Sequence, residues 1–259
     1  MSEQQSHDEI AAALYLRAVL PAFEELARVS PRAQALIANW NCGVEFAVRG
    51  QGGAAVLFKD GDVSVLPGRC MDAAISLFFL SAAQLVKQFE GKGFSLPLPR
   101  RGIFRVASLL RFNRLANILQ EELEQHPRLL LGVALASLQP LIEHDEKARE
   151  LMRDCPAGLA EFCIPSSKLF GWVEWRENKF RWGRGHAPRA ADVVISFRDE
   201  ATALAALRGE LDEWAAIGAG ALTVRGLTPL AEILGVVMAR ADAYLERRTP
   251  EDVRVENRE

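Results

Sequence analysis

Between residues 8 and 28, Ile10, Leu14, Leu20, Phe23 and Leu26 recur at helical intervals, which predicts an amphipathic helix bent or interrupted near Pro21. The period then changes from helical to alternating. Residues 43–49 alternate as a strand, and 53–58 and 62–66 form a hairpin around Lys59-Asp60-Gly61-Asp62, where Asp-Gly suits a tight turn. A strand follows at 72–79, then a helix capped by Ser81, running to about Phe89 and stopped by Gly91. The next segment, Gly93 to Arg101, carries Pro97 and Pro99, so any strand there is an edge or irregular.

The same plan then recurs. Strands are expected near 159–164, 168–175, 179–184 and 191–197, with a helix from Asp199 to about Arg208 that Gly209 stops. A strand near 220–225 and a helix from Thr228 to about Glu246, opened by Thr228-Pro229, complete it. Landmarks repeat in order at an offset of about 118 residues: Leu20-Pro21 with Gln139-Pro140, Val44-Glu45-Phe46 with Ala160-Glu161-Phe162, and Asp72 to Phe78 with Asp192 to Phe197. These signals predict an α+β protein of two similar domains, each a mainly antiparallel sheet of about five strands covered by helices. Residues 1–125 form the first, 126–247 the second, and 248–259 a charged tail.

The stretch Ala191 to Leu234 places an Asp-led strand, a helix ending in Gly209-Glu210-Leu211, an alanine-rich turn, Gly220-Ala221-Leu222-Thr223-Val224-Arg225-Gly226 and a closing helix in one order. This pattern resembles the sterol carrier protein type-2 family, over about residues 155–246 well and about 35–125 loosely. The resemblance implies curved sheets and helices around an apolar tunnel that exchanges fatty acyl, isoprenoid or sterol-like lipids without chemistry. Trp172, Phe180, Trp182, Phe197, Trp214, Ile217, Leu230, Ile233, Leu234 and Val237 are the residues available to line such a pocket, or simply to fill a core. Because the first copy departs from the pattern at its proline-bearing segment, the pocket is expected in the second. A second reading makes the chain an accessory protein that presents a hydrophobic intermediate, such as a quinone precursor, to partner enzymes.

Charge adds one local feature. A hydrophobic fraction of 49% and 25% charged residues are ordinary for a globular chain, and a net charge of −3 does not suggest a nucleic-acid partner. Yet Gly91 to Gln120 holds Lys92, Arg100, Arg101, Arg105, Arg111 and Arg114 with no acidic residue, interleaved with apolar side chains. Such a helix suits anionic lipid headgroups, with Arg100, Arg101, Arg105, Arg111 and Arg114 as membrane contacts, or else docks on the fold with a solvated basic face. The polar start MSEQQSHDEI and the lack of a long apolar run favour a cytoplasmic protein, peripheral at the membrane when loading.

Catalytic and cofactor motifs are not found. His7, His126, His144 and His186 lack metal-ligand spacing, and His144-Asp145-Glu146 reads as a solvated helix face. There is no Gly-x-Ser-x-Gly elbow, Walker loop or complete dinucleotide fingerprint, so no catalytic residue, metal or cofactor is expected. Cys42, Cys70, Cys155 and Cys163 read as free, buried thiols.

Overall fold

A computed structural model of the chain describes residues 3–91, 97–102 and 104–245. The readings at Lys92, Gly93 to Leu96, Ile103 and the charged tail lie outside the described residues. The N-terminal helix forms as α1 (Glu3–Leu14), a π-helical turn (Tyr15–Val19) and α2 (Ala22–Val29). Its bend has a visible cause. The Leu20 amide reaches back five residues to the Tyr15 carbonyl at 3.0 Å, a widened turn placed just before the proline that cannot donate. α3 (Pro31–Ile37) is capped by Ser30, whose hydroxyl accepts the Ala33 N–H at 3.2 Å.

The first sheet contains β1 (Cys42–Val48), β2 (Gly52–Lys59), β3 (Asp62–Pro67), β4 (Ile75–Phe79) and β5 (Leu98–Arg101), in the order β3-β2-β1-β4-β5. Asp60 and Gly61 make the β2–β3 turn with φ of 52° and 88°, as the Asp-Gly pair predicts. Between β4 and β5 runs α4 (Ala82–Glu90), with Ser81 accepting the Gln84 N–H and Gly91 closing the helix at a φ of 69°. β5 carries Pro99 and sits at the edge, where a missing donor costs least.

Three helices, α5 (Val106–Leu123), α6 (Pro127–His144) and α7 (Glu146–Arg153), lead to the second sheet. It contains β6 (Gly158–Ile164), β7 (Leu169–Arg176), β8 (Lys179–Arg184), β9 (Val193–Phe197) and β10 (Leu222–Gly226), in the order β8-β7-β6-β9-β10. α8 (Glu200–Leu207) and α9 (Glu213–Gly218) join β9 to β10, and α10 (Thr228–Ala239) follows. The final helix is shorter than expected, passing at Arg240–Ala243 into a tighter turn. The two sheets share one strand order and one set of strand directions.

Both sheets are mixed, which corrects the expectation of a mainly antiparallel arrangement at its centre. β1 pairs with β4 and β6 with β9 in parallel. The reason is the connection that precedes β4 and β9: instead of turning back as a hairpin, it crosses the outer face of the sheet. Cys70 and Ala73 of the first crossing pack on Ala55 and Leu57, and the Ala187 amide of the second donates to Glu161 on β6 at 2.7 Å. The sheet register also corrects the internal alignment. Phe46 pairs with Leu77 as Phe162 pairs with Ile195, two residues away from the match of Ile75 with Ile195 that the sequences suggest. The aligned prolines differ too, since Pro140 lies inside an uninterrupted α6.

α6 organises the interior. Eleven of its 18 residues are buried, so it is apolar nearly all round, as a helix enclosed on several sides must be. It packs on α1, α2, α8, α10 and the β7–β8 hairpin. Buried apolar residues from Ile10 of α1 to Leu245 form one continuous cluster to which both sheets contribute.

Candidate functional site

Strand parity decides what faces the interior. Phe46 on β1 and Leu77 on β4 share one face of the first sheet, and Phe162 on β6 and Ile195 on β9 share the corresponding face of the second. These two faces, with helices between them, enclose a cavity of about 1580 Å³. Ligand pockets for drug-sized molecules commonly measure roughly 300–1,000 Å³, so this chamber suits a longer occupant. Its wall includes Phe23 of α2, Phe112 and Leu119 of α5, Val133 of α6 and Leu207 of α8. Aromatic contacts fix much of the first sheet's side: Phe112 lies 5.3 Å from both Phe23 and Phe46, and Phe89 lies 5.6 Å from Phe46 and 4.9 Å from Tyr15.

The same cavity reaches solvent through an apolar rim. Val106 and Leu110 of α5, Trp214 and Ile217 of α9 and Val236 of α10 line it while remaining about half exposed or more, and Trp214 is 86% exposed. Asp212 holds Trp214 out by accepting the Ala215 N–H at 3.0 Å, which starts α9 at that point. Two residues before Val106 in the chain, Phe104 is 98% exposed. Large apolar side chains left in water at one place mark a contact surface.

Of the ten residues expected to line a pocket, Phe197, Trp214 and Ile217 are on the cavity wall. The other seven are not. Leu230, Leu234 and Val237 are fully buried in the core on the inner side of α10, and Ile233 packs beside them. Phe180 and Trp182 pair with Trp175 and Val173 and pack on the core at the β8 edge. Trp172 is on the outer face of the sheet, one residue out of phase with Val173, and covers Gly183: a β-carbon there would lie 2.6 Å from the indole. The readings also missed the first sheet's share of the wall, for which the repetition of Phe46 as Phe162 was the available signal.

The five arginines expected to meet a membrane divide. Arg101 is engaged within the fold, donating to the Cys70 and Met71 carbonyls and to Glu45. Arg111 donates to the Leu36 carbonyl at 2.6 Å and lies over the Trp40 ring, and Arg100 stacks 3.6 Å from the Phe78 ring centre. A five-arginine face is therefore not assembled, because these long side chains satisfy nearby carbonyls and rings first. Arg105 and Arg114 stay exposed, without an ion-pair partner among the described residues.

Chemically reactive arrangements are sparse. Among the described residues no group of three or more His, Cys, Asp or Glu side chains could hold a metal. His144-Asp145-Glu146 is not simply a solvated face, because Asp145 is buried: it caps α7 through the Lys147 N–H at 3.0 Å and accepts from Arg240 at 2.5 Å. Burial pushes the Cys155 thiol up to about 11, which disfavours its thiolate, and all four cysteines are buried and free. No helix among the described residues is long and apolar enough to cross a membrane.

No protein-family profile matches the chain, and no curated protein matches it in sequence. Among solved structures, sterol carrier protein domain 2 of Helicoverpa armigera is 17% identical with a TM-score of 0.35, over 45% of this chain and 91% of that one. Apo sterol carrier protein 2 from Yarrowia lipolytica is 15% identical with a TM-score of 0.31, over 39% and 91%. The inverting sec-alkylsulfatase Pisa1 from Pseudomonas sp. is 21% identical with a TM-score of 0.25, over 30% of this chain and only 12% of the sulfatase. Each of these matches takes in less than half of this chain.

Proposed function

We propose that the chain binds one long apolar molecule in the chamber between its two sheets and exchanges it without making or breaking covalent bonds. The single observation that carries this is the apolar cavity of about 1580 Å³ walled by the inner faces of both sheets. Burying a methylene contributes about 0.8 kcal/mol, so ten of them supply roughly 8 kcal/mol before association costs, with few directed contacts needed. The reading departs from a pocket within the second repeat alone, because Phe46 and Phe162 line the same space.

The rim gives the exchange route. Val106, Leu110, Trp214, Ile217 and Val236 are apolar, exposed and continuous with the chamber, and Arg105 stands beside them at the start of α5. This combination suits shallow contact with a bilayer surface. A protein partner that receives the ligand would use the same rim, and co-sedimentation with vesicles separates the two. Titration with a fluorescent apolar probe tests the binding itself: one saturable site per chain is the expected result, and two independent sites or no saturation would contradict it.

A further inference from the structure

The sheet walls of the chamber repeat each other. In the first sheet the wall is Phe46 of β1, Ile75 and Leu77 of β4 and Pro99 of β5. In the second it is Phe162 of β6, Ile195 and Phe197 of β9 and Leu222 and Val224 of β10. These are the corresponding strands of the two sheets: the central strand, its parallel neighbour and the edge strand beyond it. No residue of β2, β3, β7 or β8 lines the space. The register matches as well, since Phe46 pairs with Leu77 and Leu77 with Pro99, just as Phe162 pairs with Ile195 and Ile195 with Val224.

Size agrees with two chain slots rather than one. If each carbon of a liquid-packed chain takes roughly 30 Å³, the share of a water in its liquid, an 18-carbon tail fills roughly 540 Å³. That is roughly a third of the 1580 Å³ chamber. A single tail would leave an apolar void along the opposite sheet, whose side chains would forfeit their contacts. Two tails fill roughly two thirds of the space and leave the remainder for a small head below the rim.

Resting on the cavity reading above, we infer that the ligand is a two-tailed lipid, with one tail lying along each sheet and the head left at the rim. An apolar wall by itself accepts any long chain; the repetition of that wall sets the number of tails. Because the two halves open into one space, the duplicated fold takes one molecule with two tails rather than two molecules.

Dioleoylglycerol and monooleoylglycerol, which share a small glycerol head and differ in the number of tails, test it when offered in equal amounts from cyclodextrin to the delipidated full-length chain. Native mass spectrometry is expected to find one dioleoylglycerol per chain, retained in roughly tenfold or greater excess over the single-tailed probe. One monooleoylglycerol per chain, retained equally or better, would overturn the inference while leaving the cavity reading intact. Two molecules per chain, or neither probe bound, would overturn the cavity reading and the inference with it. Leu77 and Val224 are both partly buried on the wall, one in each half, so Leu77→Trp and Val224→Trp each narrow one slot. Each variant is expected to lose dioleoylglycerol by roughly tenfold and still take monooleoylglycerol, which also reports that it has folded. Dioleoylglycerol held by either variant as by wild type, or both probes lost together, would overturn the assignment of one tail to each sheet.

Discussion

The hydroxyl of Ser76 donates to Glu45 at 2.5 Å, across the parallel pair β4–β1. Glu45 is fully buried on the face opposite the cavity, under the segment that crosses from β3 to β4. Its other oxygen accepts the Cys70 N–H of that crossing at 3.2 Å, and Arg101 reaches the oxygen shared with Ser76 from β5 at 3.3 Å. One carboxylate therefore ties β1, β4, β5 and the crossing segment together. The second sheet repeats the device in reduced form, with Glu161 accepting the Ala187 N–H of its own crossing.

Removing that carboxylate is predicted to be costly. Burial raises the Glu45 carboxyl, but the Ser76 hydroxyl, the Cys70 amide, Arg101 and Arg69 together outweigh it and hold the group below its ordinary value of 4.5. A depressed folded value contributes stability that is present above the unfolded value and lost as pH falls through the folded one. Glu45→Ala should lose about 3–5 kcal/mol by denaturant unfolding near neutral pH, since the buried Ser76 hydroxyl and Cys70 amide lose their acceptor and Arg101 its carboxylate. Glu45→Gln should flatten the loss of stability that the wild type shows below about pH 4.5. An unchanged acid limb would remove Glu45 from this role.

A second brace joins distant parts of the chain. Asp145, between α6 and α7, accepts from Arg240 at the end of α10, and Tyr244 lies 3.5 Å from the same guanidinium. Burial works to raise the Asp145 carboxyl and Arg240 more than compensates, so the group is held below its ordinary value. Asp145→Ala removes a helix cap and a buried partner together, and a loss of about 3 kcal/mol is expected. A double-mutant cycle with Arg240→Met should return a coupling energy above about 1 kcal/mol; additivity would show the pair to be incidental.

At the rim the arginines should separate by what they touch. Arg105→Glu with Arg114→Glu should weaken flotation with anionic vesicles at low salt and leave thermal unfolding unchanged, because neither side chain has an ion-pair partner among the described residues. Trp214→Ala should weaken it as well, at a stability cost within about 0.5 kcal/mol for so exposed a residue. Arg101→Glu, by contrast, should unfold more easily, since it sets a second carboxylate against Glu45. Equal vesicle binding by wild type and the Arg105 and Arg114 variant would remove charge from the docking step.

Local signals were legible and partnerships were not. Ser81 and Asp199 are read from sequence as caps, and they do accept the Gln84 and Thr202 amides, because capping is decided within three residues. Alternation likewise exposes nearly every strand. What alternation cannot supply is the neighbour: nothing local says that β1 lies parallel to β4, nor that Trp172 and Trp182 are on opposite faces once Val173 pairs with Trp182. The cavity was misplaced for the same reason. About half its wall, from Tyr15 to Glu124, comes from the N-terminal half of the chain, and only the packing of the two sheets around one interior brings Phe46 and Phe162 together.

Ala116 of α5 lines the chamber and is partly buried, so a larger side chain there should fill space that the ligand needs. Native mass spectrometry of wild type and Ala116→Phe, with extraction of any bound lipid, tests the central claim most directly. The account predicts a single apolar molecule per wild-type chain and its loss from Ala116→Phe at unchanged thermal stability. Two ligands per chain, or one retained in full by the blocked variant, would contradict it.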